Sequence, residues 1–90
     1  MREVVRSTAF KKDVKRAEKR GKDMAKLKAI IFLLLEDKPL ETRYRDHPLK
    51  GNWIGYRDLH IEPDWLFLYH VAETELMVAR TGTHSDLFGE

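Results

Sequence analysis

All of the strong helical periodicity in this chain lies ahead of Pro39, and all of its strong strand-like runs lie after Asn52. Helices first and strands last is the order of an α+β domain rather than of an alternating, parallel one. Ser7 or Thr8 can cap a first helix by accepting a hydrogen bond from a free backbone N–H. Phe10, Val14 and Ala17 then recur at helical spacing, with lysines and arginines on the other face. Gly21 can take the left-handed geometry that closes this helix. Asp23 can cap a second helix, in which Met24, Leu27, Ile30, Ile31, Leu34 and Leu35 line one broad face. A face that wide predicts a helix lying against a sheet. The Gly-containing turn makes the pair an antiparallel helical hairpin.

Pro39, Pro48 and Gly51 predict a loop over residues 38–52, with a short strand at 42–45. Three strand-like runs follow, at 53–61, 65–71 and 76–81, and a weakly alternating run at 2–6 suggests a further short strand. Connections as short as Glu62-Pro63-Asp64 imply antiparallel neighbours. Residues 85–90 form a tail with one helical turn. The expected fold is α+β: two amino-terminal helices packed on an antiparallel β-sheet, in one domain spanning residues 1–90. Both parities of the run 53–61 contain apolar residues, so its buried face stays open. Trp53 is assigned to the core.

A chain of 90 residues supports one core, burying roughly 60–70% of the surface its unfolded form exposes. With no cysteine, a disulfide framework and a thiolate metal site are both excluded. The longest apolar run, 29–35, is far shorter than the ~20 residues of a membrane-spanning helix. The first residues lack the apolar core of a signal peptide. A cytoplasmic protein with no membrane partner is expected. The net charge of +2 hides an asymmetry: residues 1–28 hold 11 Lys and Arg against 4 Asp and Glu, and residues 29–90 hold 6 against 11. The basic half is either an electrostatic footprint for nucleic acid or a solvated helix face.

All four histidines fall between His47 and His84, in company with Asp58, Asp64, Trp65, Arg80 and Phe88. Those side chains are the parts needed to cleave RNA through its own 2′-hydroxyl: a base, an acid and a cation on the phosphate. Histidine suits proton transfer because its ordinary pKa is about 6.5. Arginine suits the phosphate because its planar fork stays charged. Asp58 and His60, two apart on a strand, leave the same face. Trp65 and Phe88 can stack on bases. Each has an ordinary counterpart. Arg80 can form a structural ion pair with Asp58 or Asp64, Trp65 can belong to the core, and His70, inside an apolar strand, reads as structural. His60, Asp64 and His84 are also metal-ligand types, but no H-E-x-x-H spacing is present. No metal or cofactor is expected.

Lys12-Asp13-Val14-Lys15, Lys22-Asp23-Met24, Asp46-His47-Pro48-Leu49-Lys50-Gly51, Tyr56-Arg57-Asp58, His60, Pro63-Asp64-Trp65, Arg80-Thr81-Gly82-Thr83-His84 and Leu87-Phe88-Gly89 occur in one order over nearly the whole chain. In that order and spacing the chain resembles the YafQ toxins, a branch of the RelE superfamily of bacterial type II toxin–antitoxin systems. The resemblance implies a RelE-like fold and an endoribonuclease that enters the A site of the 70S ribosome and cuts the mRNA being translated. It implies His84 as general acid, His60 and Asp64 in base or proton-transfer roles, and Arg80 on the scissile phosphate. His47, Asp58, Trp65 and Phe88 would line or support the site. The implied partners are a cognate, DinJ-like antitoxin and, through it, operator DNA. The basic helices would then dock on ribosomal RNA or receive an acidic antitoxin.

Two other functions compete. One is a toxin of the same fold that blocks a protein target such as DNA gyrase. The other is a co-repressor module that acts only with its antitoxin. Neither has a need for the histidine–aspartate set.

Overall fold

The computed structural model describes residues 1–89. Glu90, the end of the expected tail and domain, lies outside the described residues. Strand β1 (Glu3–Arg6) leads directly into helix α1 (Thr8–Lys19). Of the two cap candidates the chain uses Ser7, whose Oγ accepts from the Phe10 N–H at 2.9 Å. The buried stripe of α1 is Phe10, Asp13 and Ala17, so a carboxylate stands in the middle of an otherwise apolar face. Lys11, Lys15 and Lys19 are exposed. Gly21 follows the helix with φ +78°, as expected for the residue that ends it.

Helix α2 (Met24–Leu35) is capped by Asp23, which accepts from the Ala25 N–H at 3.0 Å. Its predicted face holds. Leu27, Ile30 and Leu34 are buried, and Met24, Ile31 and Leu35 pack against the same cluster. Among the described residues no helix is long and apolar enough to cross a membrane.

Beyond Pro39 the chain makes a 3-10 turn at Thr42–Tyr44, where a strand was expected, and then a two-residue strand β2 (His47–Pro48). A second 3-10 turn at Gly51–Trp53 delays the next strand, so β3 is Arg57–Glu62 rather than 53–61. Gly51 and Gly55, at φ +65° and +93°, take the chain out of the extended conformation there. Trp53 is accordingly only half-buried, edge-on to Tyr56 at 5.4 Å, and is not a core residue. Strands β4 (Trp65–Val71) and β5 (Glu75–Gly82) match their expected runs, and a short helix α3 (His84–Phe88) forms the helical turn of the tail.

The strands form one sheet in the order β1-β5-β4-β3-β2. The sheet is mixed rather than wholly antiparallel, because β1 pairs parallel to β5. A parallel neighbour needs a long crossover, and α1, α2 and the following strands supply it. Pairing across such a distance leaves no local mark in the sequence.

Leu59, Ile61, Trp65, Phe67, Tyr69, Leu76 and Val78 form the core with the helices. By alternation, Asp58 and His60 take the opposite face. Register extends that face across the sheet: His47 pairs with Asp58, Asp58 with Leu68, and Leu68 with Arg80. Tyr69 pairs with Val78 while Leu68 pairs with Arg80, so Ala79 is an extra residue on β5. This bulge sets the face of Arg80. Without it Arg80 would follow Val78 onto the helix side.

Candidate active site

Three features bring the histidines together. Asp46, next to His47, is clamped by the Tyr69 hydroxyl at 2.6 Å and the Arg57 guanidinium at 3.1 Å. The His47 Nδ1 lies 2.7 Å from the backbone carbonyl of Arg45, which is held in the left-handed conformation at φ +50°. A carbonyl only accepts, so this nitrogen carries the proton and Nε2 is left facing Asp58.

The second feature is the carboxyl end of β5. Thr83 caps α3 and exchanges reciprocal hydrogen bonds with Asp86. Asp86 is held in turn by Arg20 at 2.6 Å, which keeps its carboxyl well below the ordinary carboxylate value; the Thr83 bonds act the same way. A Cβ at Gly82 would come within 2.9 Å of the Asp86 carboxylate, so only glycine lets α3 turn this close to β5.

The third feature is the β3–β4 turn. From it Asp64 accepts the backbone N–H of His84 at 2.9 Å and faces the His84 Nδ1 at 2.6 Å. These bonds hold the Asp64 carboxyl below its ordinary value. An ionised carboxylate accepts only, so Nδ1 donates and Nε2 of His84 is directed away from the turn.

The rings of His47 and His60 lie 6.4 Å apart, and those of His60 and His84 5.6 Å. Asp58 sits beneath them. Its Oδ2 is 3.6 Å from His47 Nε2 and 3.9 Å from His60 Nε2, within ion-pair range but too long for hydrogen bonds. Oδ1 of Asp58 is buried with no hydrogen-bond partner among the described residues. Burial pushes its carboxyl up to about 6, partly offset by His47 and His84. Burial, then the charges of His84, Arg45 and His47, lowers the pKa of His60.

Arg80 shares this face by register, but its partner is neither Asp58 nor Asp64. It donates Nε and Nη2 to Asp13 of α1 at 2.6 and 3.1 Å. The same buried carboxylate accepts from Arg16 at 2.8 Å and from the Thr81 N–H at 3.2 Å. Trp65 is buried to 1% exposure, its indole N–H bonded to Thr81 at 2.9 Å, so neither ring face is open to a base. The stacking expectation for Trp65 gives way to its core reading, because β4 turns the residue toward the helices. Phe88, at 37% exposure on α3, keeps an accessible ring. His70 is tied to the Gly55 carbonyl at 2.7 Å, as a structural histidine would be.

Among the described residues, no group of three or more potential ligands is arranged to hold a metal ion. Asp13 and Arg45 were not singled out as site residues by sequence. Asp13 carried a signal, a carboxylate at the helical spacing of Phe10 and Ala17. Arg45 carried none, because the carbonyl it offers His47 depends on backbone conformation rather than on residue type.

Two imidazoles on one open face, one oriented by a carboxylate and one partly desolvated, define a class of protein equipped for acid–base chemistry. Residues 2–89 match the family of bacterial toxins of type II toxin–antitoxin systems, YafQ, and the chain belongs to that family. It is 51% identical over 89 residues to the mRNA interferase toxin YafQ of Escherichia coli K12, covering 98% of this chain and 97% of that one. The fold is similar to the toxin in the crystal structure of the E. coli DinJ–YafQ complex, with TM-score 0.91 at 50% identity over 99% of this chain and 100% of that one. It is likewise similar to a metal-bound toxin from Helicobacter pylori, with TM-score 0.91 at 38% identity over 98% and 100% of the two chains.

Proposed function

We propose that this protein is an endoribonuclease, the toxin of a type II toxin–antitoxin pair, that cuts mRNA in the A site of the translating ribosome without a metal. The observation that carries the reading is the pair of histidines 5.6 Å apart, of which His84 is oriented by Asp64 and His60 has its pKa lowered, chiefly by burial. His60 takes the proton from the 2′-hydroxyl as that oxygen bonds to phosphorus. The bond from phosphorus to the 5′-oxygen breaks, and His84 in its imidazolium form gives that oxygen a proton from Nε2. The products are a 2′,3′-cyclic phosphate and a 5′-hydroxyl. Each well-placed acid or base contributes roughly 10²–10⁴ in rate. Arg80 adds positive charge on the same sheet face, next to the scissile phosphate. Asp64 orients His84, Asp58 supports His60 from below, His47 stands edge-on beside it, and Phe88 offers a ring to a base.

The partner is a DinJ-like antitoxin, as in the related complex, and through it the toxin reaches operator DNA. The protein works where ribosomes are, in the cytoplasm. Primer extension on mRNA in a reconstituted translation system tests the reading, using protein stripped of transition metals by a chelator. Cuts inside translated codons, with naked RNA cut poorly for want of positioning, are the expected result. Activity that is lost on stripping and restored by a transition metal would replace acid–base catalysis with a metal mechanism. Absence of cuts from folded protein would favour a blocking toxin.

A further inference from the structure

Beside His60 the surface opens into a groove of about 400 Å³ lined by Lys26, Arg43, Tyr44, Arg45 and Ile61, among others. A second hollow of about 310 Å³ shares Lys26, Arg43, Tyr44 and Ile61 and continues toward Asp23. We propose that this groove binds the single-stranded RNA backbone on one side of the cut, with Arg45 as its phosphate-binding cation and the stacked Arg43–Tyr44 pair as its base platform. The proposal rests on the RNA-cleaving reading of the site and assigns residues that reading does not use.

The cations around His60 differ in what they are free to do. Arg80 spends two donors on Asp13. Lys26 is paired with Glu62 at 3.0 Å, and Arg43 with Glu41 at 3.2 Å. Arg45 is exposed, and among the described residues its side chain makes no ion pair. Its charge nevertheless reaches His60, where it is one of the causes that lower the imidazole's pKa. A planar fork left unpaired at the edge of a cutting site is suited to two oxygens of one phosphate.

The segment is built to stay in place. Arg45 is held in the left-handed conformation with its carbonyl on His47, which ties the groove wall to the histidine cluster. Such a backbone is unfavourable for a residue other than glycine and persists only where its surroundings enforce it. Next to it the Arg43 guanidinium lies 4.8 Å over the Tyr44 ring and donates to its hydroxyl at 2.9 Å. Guanidinium planes and aromatic rings are the surfaces on which unpaired RNA bases stack. An acidic peptide would use the charge alone. A strand of RNA whose phosphate lies at His60 uses both the charge and the platform.

The test is single-turnover cleavage of ribosome-bound mRNA as a function of toxin concentration and salt, for wild type, Arg45→Gln, Arg45→Lys and Arg43→Gln. Arg45→Gln should raise the half-saturating concentration several-fold and change the maximal rate less. The slope of log affinity against log salt should fall by about 0.7, the value for one phosphate of a single strand. Arg45→Lys should restore that slope. Arg43→Gln should weaken saturation with less effect on it. A folded Arg45→Gln with wild-type saturation and salt slope overturns the groove and leaves the nuclease intact. A fall in maximal rate alone also overturns it, since Arg45 would then act only through His47. Unchanged saturation with weakened binding of an acidic peptide assigns the groove to a protein partner instead. Absence of cleavage by wild type overturns the groove and the nuclease reading together.

Discussion

One carboxylate oxygen of Asp64 accepts the backbone N–H of His84 at 2.9 Å and faces its ring Nδ1 at 2.6 Å. A residue in the β3–β4 turn thus fixes both the start of α3 and the ring on it. Asp64→Asn keeps the size but loses the charge that demands an Nδ1 proton. Misplacing a catalytic group by about 1 Å can cost roughly 100-fold. Cleavage by Asp64→Asn should therefore fall by about 10–100-fold in a single-turnover assay. Asp64 is exposed, so the urea midpoint should barely move. A wild-type rate would remove Asp64 from the proton-transfer machinery.

Asp13 predicts a different outcome. It is buried to 3% exposure and receives Arg80, Arg16 and the Thr81 N–H. Asp13→Ala leaves those donors without their acceptor. Hydrogen bonds to charged groups contribute roughly 1.5–3 kcal/mol each, and the partly exposed arginines regain some of that from water. A loss of about 2–3 kcal/mol is expected from urea unfolding, with reduced cleavage from a mobile Arg80. Unchanged stability would mean that the ion pair contributes nothing net.

Asp58 gives the pH dependence its sign. Its folded carboxyl titrates near 6, above the unfolded value, because burial disfavours the charge. Between the two values the folded state holds a proton that the unfolded state has lost, so stability falls as pH rises through that window. Asp58→Asn should remove this fall. The variant should match wild type near pH 4 and be more stable at pH 7–8, by about 1–3 kcal/mol. His60 acts in the opposite sense. Its lowered pKa costs stability as pH falls below about 6.5, and that slope should remain in Asp58→Asn. Equal pH profiles for wild type and Asp58→Asn would contradict the buried, charged carboxylate.

Lys11, Lys15 and Lys19 are exposed on α1, away from the sheet face that carries the histidines. Reversing all three to glutamate should lower co-sedimentation with ribosomes and leave the thermal midpoint nearly unchanged, because exposed substitutions usually act within about ±0.5 kcal/mol. Full co-sedimentation would give this face to the antitoxin instead of ribosomal RNA.

Local chemistry made much of this molecule legible. Asp23 is a short polar residue just ahead of an apolar periodic run, and it caps α2 as such residues do. Trp65 to Val71 contains no glycine or proline to interrupt it, and β4 has those ends. The histidines and Asp58, Asp64 and Arg80 were visible as residue types suited to one reaction. What escaped depends on distant contacts. The parallel pairing of β1 joins residues about seventy positions apart. The bulge at Ala79 reverses the face of Arg80 by one extra residue, which hydrophobic alternation does not register. Trp53 looked like a core residue until Gly51 and Gly55 curled the chain before β3 began.

In the proposed reaction His84 protonates the leaving 5′-oxygen. The most direct measurement is single-turnover cleavage of ribosome-bound mRNA carrying sulfur in place of the 5′-oxygen at the cut. A thiolate leaves without needing a proton. His84→Gln should therefore be severely slowed on the oxygen substrate and recover most of its rate on the sulfur one, whereas His60→Gln should be slow on both. Equal impairment of His84→Gln on the two substrates, or equal rescue of both variants, would contradict the assignment of acid and base.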